Sequence, residues 1–515
     1  LTSRSGREWG RLGLAMGVVA VVLVTVGIMT GVYGRDTIAS PESNRPSAPA
    51  EAVTTSTGER TPMASLATEA REITDGGNPD IFVDVDAKSQ EIYGFGAAVT
   101  HSSAQLISAM APTTRASLLE ELFAPDGPMR LSMIRIPIGA SDFTPTDAFT
   151  FDDLPAGETD WDLEHFDIGT DRAAMIPVLQ EISAISPRVR IIASPWSPPA
   201  WLKTNGSLEG GRLLDEDRAY ETYSAYLIRF IEEYARAGLD IDFLTVQNEP
   251  QLRNPDGYPG TDMPVWQAAK LIEKLGPGLA QSGLRTAILG FDHNWELNPA
   301  DAATTPPSED PAYEYPADLL RTDAARWIAG TAFHCYYGNA DRQSQLREQF
   351  PEKTILVTEC SGSGTHGDSQ EKVFVDTLSW QATNLLINPL RNHASAVLTW
   401  NLALDEFGGP HRGGCETCSG VVTISTSGEI SRNAEYALLG HAARFVPSGS
   451  RRVDSFGTEE LSHVAFRDPN GVIVLIVWNP TSSDYPVQVG DGQHNVNVEL
   501  PAGSLSTISW GGGEH

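Results

Sequence analysis

Between about residue 80 and residue 400 the chain alternates eight short, β-rich apolar runs with longer helical stretches, and few folds accept that rhythm. The runs are Ile92–Ala98, Met133–Ile138, Ile191–Pro195, Phe243–Gln247, Ala287–Phe291, Ala332–Tyr336, Ile355–Thr358 and Ala396–Trp400. Separated by helices such as Tyr223–Ala237, they predict an α/β fold of the (β/α)8 barrel type. An open doubly wound sheet is the poorer fit, since no G-x-G-x-x-G follows the first run. After about residue 418 helical texture persists only over Ala434–Phe445. It then yields to short strands such as Val464–Arg467 and Val472–Val477, set apart by turn signals like Asp468-Pro469-Asn470-Gly471. The expected layout is a barrel over 79–417 and an antiparallel β-sandwich over 418–515, with 79–92 pairing with the sandwich.

The N-terminus carries a targeting signal. An uncharged run from Leu12 to Gly34 follows Arg4, Arg7 and Arg11 and is long enough to span a bilayer, so residues 1–34 read as a signal-anchor or signal peptide. The clearest A-x-A, Ala48-Pro49-Ala50, lies far downstream, which favours an uncleaved membrane anchor. The flanking positive charge then leaves the following residues outside, and the protein is extracellular, secreted or tethered. Residues 35–78, rich in Ser, Thr, Pro and Ala and poor in large apolar side chains, read as a disordered linker.

Composition excludes some partners. With 36 basic against 67 acidic residues and a net charge of -31, the chain repels polyanions, so nucleic acid is not an expected ligand. The acids are spread along the chain, as on an ordinary solvated surface. Four cysteines, Cys335, Cys360, Cys415 and Cys418, are too few to staple a fold of this size. Cys415 and Cys418 form a C-x-x-C without a second pair at zinc spacing, which reads as a local disulfide or two free thiols.

In a (β/α)8 enzyme, reactive groups cluster at the C-terminal strand ends. Two ends carry a glutamate, Gln247-Asn248-Glu249-Pro250 and Val357-Thr358-Glu359-Cys360. Paired carboxyls at one mouth are what glycoside hydrolysis needs: one protonates the departing oxygen while the other attacks or stabilises the oxocarbenium-like centre from the opposite face. A lone strand-end Glu is more often a solvated rim residue; the pairing and the Asn-Glu-Pro lower that reading.

From about Ile81 to the C-terminus the chain resembles glycoside hydrolase family 30, the family of glucosylceramidase and the β-1,6-glucanases. The resemblance runs through Gly94-Phe95-Gly96, Arg135 to Phe143, Ser194 to Lys203, Asn248-Glu249-Pro250, Thr358-Glu359-Cys360 and Thr399 to Asp405. It departs at Ala97 and at Thr100-His101, where the family commonly has Gly and Thr-Asp. The resemblance implies a barrel with a β-sandwich and a retaining mechanism, with Glu249 as acid/base and Glu359 as nucleophile. It further implies that Asn248 bonds the sugar 2-hydroxyl, that Asp142, Trp196 and Trp400 grip the terminal sugar, and that Arg135 lies beside the nucleophile as its counter-charge. His334 and Tyr336 would face the site, with Tyr258 on a loop near it. Burial and a negative neighbour would raise the pKa of Glu249 so that it starts protonated.

The expected substrate is a β-linked glucoside, glucan or glycolipid, and the mechanism requires no metal or organic cofactor. A β-xylosidase or β-fucosidase on the same fold is the competing enzyme reading. A non-catalytic carbohydrate-binding envelope protein is the competing class.

Overall fold

The computed structural model describes residues 50–59, 63–67, 69–72, 79–309, 311, 314–362 and 364–511. Eight parallel strands close into a barrel: β1 Gly94–Ala98, β2 Met133–Ile138, β3 Arg190–Pro195, β4 Phe243–Thr245, β5 Ala287–Asn294, β6 Ile328–His334, β7 Thr354–Glu359 and β8 Ala394–Thr399. Each pairs with its neighbour in sequence, and β8 closes on β1 from Ala396–Gly94 to Thr399–Ala97. The eight runs read from sequence are these strands, with ends displaced by a few residues.

Period-two alternation sorts each strand's side chains. Ile134, Ile136, Ile355 and Val357 face outward into the main core with the surrounding helices. Met133, Ile192, Leu289, Ala332, Leu356 and Leu398 face inward and form a separate apolar plug. The helix Asp217–Arg236 shows the matching device: Tyr220, Tyr223, Tyr226, Leu227, Phe230 and Tyr234 recur at helical spacing, and all are buried.

The barrel continues past the boundary expected at 417/418. Its eighth helix is Ala434–Ala443, and every residue of that helix is buried because both of its sides are covered. His441 reaches the sandwich from it, 2.9 Å from Thr507 Oγ1 and 3.0 Å from Thr55 Oγ1. A small sheet of Ala403–Leu404, Val422–Ile424 and Ile430–Arg432 lies in sequence between β8 and this helix. The boundary therefore moves to the segment between Ala443 and Arg451.

Ten strands build the sandwich sheet, with Ile81–Glu91 paired antiparallel to Arg451–Gly457. The reading of 35–78 as a disordered linker is corrected in part. Glu51–Ser56 is a strand paired along its whole length with Ser504–Gly511, and Ala52 to Thr55 are buried. Its Thr-rich composition suits a pleated, half-buried surface as well as a linker. Segment 1–34 and residues 35–49, 60–62, 68 and 73–78 lie outside the described residues. Among the described residues no helix is long and apolar enough to cross a membrane. Disulfides join Cys335 to Cys360, just beyond the ends of β6 and β7, and Cys415 to Cys418.

Candidate active site

One step along the strands from the apolar plug, the inward positions turn polar. Met133 gives way to Arg135, Ile192 to Ser194, Phe243 to Thr245, Ala332 to His334 and Leu356 to Thr358, and these polar residues are all buried. On β5 the polar residue is Asp292, three rather than two after Leu289, at a register irregularity where Phe291 and Asp292 take φ of 75° and 81°. Such left-handed backbone is rare outside glycine and is held only by strong surroundings.

Asp292 is the hub of this layer. Its Oδ2 accepts from Ser194 Oγ at 2.7 Å, Thr245 Oγ1 at 2.7 Å and Arg135 at 2.8 Å. Its Oδ1 lies 2.6 Å from Thr358 Oγ1 and 3.0 Å from His334 Nε2. Burial opposes ionisation, but Arg135 and His334 outweigh it and hold the carboxyl far below the usual carboxylate range.

Arg135, fully buried, distributes this charge upward. One guanidinium nitrogen donates to Glu359 Oε2 at 2.6 Å and another to Asn248 Oδ1 at 2.7 Å. Tyr336 O–H donates to the other oxygen of Glu359 at 3.0 Å. Glu249 ends its segment with φ 47°, its N–H donating to Asp292 O at 2.9 Å. Two imidazoles flank its Oε1, His334 Nδ1 at 3.2 Å and His293 Nδ1 at 3.4 Å. His334 Nδ1 also lies 3.8 Å from Glu359 Oε1, so these two carboxylate oxygens are no more than about 7 Å apart. That bound is compatible with the roughly 5–5.5 Å carboxyl separation of retaining enzymes.

These contacts reverse one expectation. Burial does push Glu249 upward, but the two imidazoles outweigh it and hold the carboxyl below its ordinary value. Burial alone would lower His334. The carboxylates of Glu359, Asp292 and Glu249 instead push it up to about 10. The contacts therefore pull the two groups in opposite directions, Glu249 down and His334 up.

Beside this layer Trp196 and Trp400 stack at 5.3 Å between ring centroids, 23° from parallel. Arg135 lies 4.9 Å and 5.4 Å from the two ring centroids. Ala98, Phe143, Leu404 and Cys418, with the partly buried Tyr258 and Cys415, complete the cluster. Asp142 is 9% exposed, and burial together with Glu359 and Glu249 raises its pKa well above the usual range. The segment carrying Cys415–Cys418 closes over Asp142: Arg412 N–H donates to Asp142 O at 2.7 Å, and a Cβ on Gly414 would lie 2.7 Å from Asp142 Oδ2.

The structure thus brings Arg135, Asn248, Glu249, His334, Tyr336 and Glu359 into one bonded network and sets Asp142, Trp196, Tyr258 and Trp400 against it. Sequence reasoning missed Asp292, His293 and Gly414 as site residues. The available signal was polar residues recurring at inward positions of otherwise apolar strands. Glu249, His293 and His334 offer ligand atoms within 4.8 Å of one another. Both His334 nitrogens lie within hydrogen-bond distance of carboxylates, Nδ1 of Glu249 and Nε2 of Asp292.

Comparison with known proteins agrees with this architecture. The family model described as the glycosyl hydrolase family 30 TIM-barrel domain matches residues 92–446, and that of the family 30 beta sandwich domain matches 449–508. An endo-1,6-beta-D-glucanase of Aspergillus fumigatus is 32% identical over 427 residues, covering 78% of this chain and 80% of the relative. The lysosomal acid glucosylceramidase of Mus musculus is 30% identical, covering 82% of each chain. Among solved structures, the endo-beta1,6-glucanase BT3312 superposes with a TM-score of 0.79 at 28% identity, covering 90% of this chain and all of its own. On this footing the chain belongs to glycosyl hydrolase family 30 and is an O-glycosyl hydrolase.

Proposed function

We propose that the chain hydrolyses β-glucosidic bonds with retention of configuration, that Glu359 is the nucleophile and Glu249 the acid/base, and that β-1,6-glucan is the substrate. The observation that carries this reading is the unequal treatment of two carboxylates at one mouth. Glu359 is fixed through both oxygens by Arg135 and Tyr336, whereas Glu249 bonds groups that can pass it a proton.

In the first step a Glu359 oxygen bonds the anomeric carbon, and the bond to the leaving oxygen breaks as Glu249 protonates it. The proton comes from the His334–Glu249 pair, passing from Nδ1 to Oε1 as negative charge at Glu359 is lost to the ester. His334 is thereby a proton store, with Asp292 fixing its ring through Nε2. In the second step Glu249 takes a proton from water, whose oxygen displaces Glu359 from the anomeric carbon, and passes that proton back to His334 Nδ1. Asn248, oriented by Arg135, turns its amide N–H toward the sugar 2-hydroxyl. Asp142, whose carboxyl burial and the neighbouring carboxylates push toward the protonated form, meets the glucose hydroxyls beside the indole faces.

The relatives named as endo-1,6-β-glucanases support the polymer; the glucosylceramidase relatives support glucosylceramide as the second substrate. The test is release of reducing sugar from linear β-1,6-glucan, beside glucosylceramide in detergent and aryl β-glucoside, β-xyloside and β-fucoside. No turnover of any β-glucoside overturns the reading; turnover of glucosylceramide alone replaces the polymer. The two disulfides suit an oxidising compartment, and we place the enzyme outside the cytoplasm, secreted or tethered by residues 1–34. Localisation of the tagged full chain in the cytoplasm would refute that placement.

A further inference from the structure

We infer that Asp152, Asp160 and His165, on the long segment after β2, form a binding site for a divalent cation of the Zn2+ class. The three offer ligand atoms within 4.8 Å of one another. Asp152 is 1% exposed, and among the described residues no N–H or hydroxyl donates to either carboxylate oxygen, the Asp160 carboxyl being close enough to share a proton with it. A buried carboxylate without donors is costly, and a folded chain relieves that cost with a proton or a cation.

A proton is the weaker answer here. Asp160 needs little help, since its Oδ2 accepts from His165 N–H at 2.6 Å and lies 3.0 Å from His165 Nδ1. A proton shared between the two acids would serve one oxygen of Asp152 and leave the other bare. A cation between them neutralises both carboxylates at once and takes His165 as a third ligand, which a proton cannot do. The neighbouring Asp153 is not a competing ligand, because it is bonded to Thr150 through both oxygens.

The donor set narrows the cation. Two carboxylates and one imidazole, with a fourth position left to water, suit tetrahedral Zn2+ better than Ca2+ or Mg2+, which prefer all-oxygen shells. The side chain of His165 is 66% exposed, giving the ion access from solvent. Its Nδ1 binds as the acceptor nitrogen of the ring, the proton being carried on exposed Nε2. The role is structural. The carbonyl of Asp152 accepts from Trp201 Nε1 at 2.9 Å, so the ion fastens the segment that carries Asp142 to the segment that carries Trp196.

The test is calorimetric titration of chelator-stripped full-length protein with ZnCl2, with thermal melts, on wild type, Asp152→Asn and His165→Ala. We expect wild type to bind one more Zn2+ per chain than Asp152→Asn, with a melting rise of several degrees that this variant lacks. Exposed His165→Ala should fold normally and bind this ion at least about tenfold more weakly. Zinc at the Glu249 cluster is common to all three proteins and cancels in the comparison. Equal stoichiometry and affinity across the three, or no uptake by wild type, overturns the site. So does a melting rise in zinc-free Asp152→Asn without any difference in uptake, the signature of a proton-sharing acid pair.

Discussion

Replacing Asp292 by Asn removes one negative charge at almost constant volume, and the geometry dictates how the amide must lie. Arg135 has no acceptor, so the amide oxygen has to face Arg135, Ser194 and Thr245. The amide NH2 then points at His334 Nε2 and Thr358 Oγ1. To accept that bond His334 must surrender its Nε2 proton, and its pKa falls from about 10 toward neutrality. The sign of the stability effect follows from the depressed pKa of Asp292. Its stabilisation is complete above the unfolded Asp value and lost only as pH falls through the folded one, so at pH 7 the variant forfeits all of it. A buried Arg135 short of one partner puts the loss at about 3–5 kcal/mol. Denaturant unfolding at pH 7 reads that loss. The alkaline limb of kcat/KM should move to lower pH by about one unit or more. For aryl β-glucosides with poor leaving groups the rate should fall on the order of 100-fold, and less for p-nitrophenyl β-glucoside, which needs little acid assistance. An unchanged alkaline limb with stability within about 0.5 kcal/mol of wild type would refute the role given to Asp292.

Further outcomes follow from the same contacts. Tyr336→Phe removes the O–H donor on Glu359 and should lower kcat roughly 10- to 100-fold with little change in KM, as steady-state kinetics on p-nitrophenyl β-glucoside would show. Gly414→Ala places a methyl against the Asp142 carboxyl at a backbone φ of 66°, and should raise KM about tenfold while the pH profile keeps its shape. A chain starting at residue 75 lacks the Glu51–Ser56 strand and strips Thr55 from His441, so it should melt several degrees below a chain starting at residue 47; equal melting temperatures would dismiss that strand as a stabilising element.

The barrel was legible because its strands are short apolar runs set apart by helical stretches, and because buried parallel strands need apolar residues on both faces. The two glutamates were legible because strand ends are where barrels keep their chemistry. Asp292 was hidden by a register irregularity in β5 that moves it one position out of the period-two pattern, so the sequence showed only Asp292-His293-Asn294-Trp295 at a strand end. The downward pull on Glu249 was hidden for a related reason: sequence shows burial and charge sign but not which imidazole touches which oxygen. The helix Ala434–Ala443 was assigned to the sandwich because composition cannot say which of two neighbours a helix closes. Thr-rich Glu51–Ser56 looked like a linker because its partner, Ser504–Gly511, lies at the far end of the chain.

The division of labour between Glu359 and Glu249 is tested most directly by adding azide to Glu359→Ala and Glu249→Ala with p-nitrophenyl β-glucoside and identifying the product anomer. Azide should restore turnover of Glu359→Ala as α-glucosyl azide, the anion entering the space left by the nucleophile, and Glu249→Ala should yield the β-anomer. Formation of α-glucosyl azide by Glu249→Ala, with none from Glu359→Ala, would contradict it.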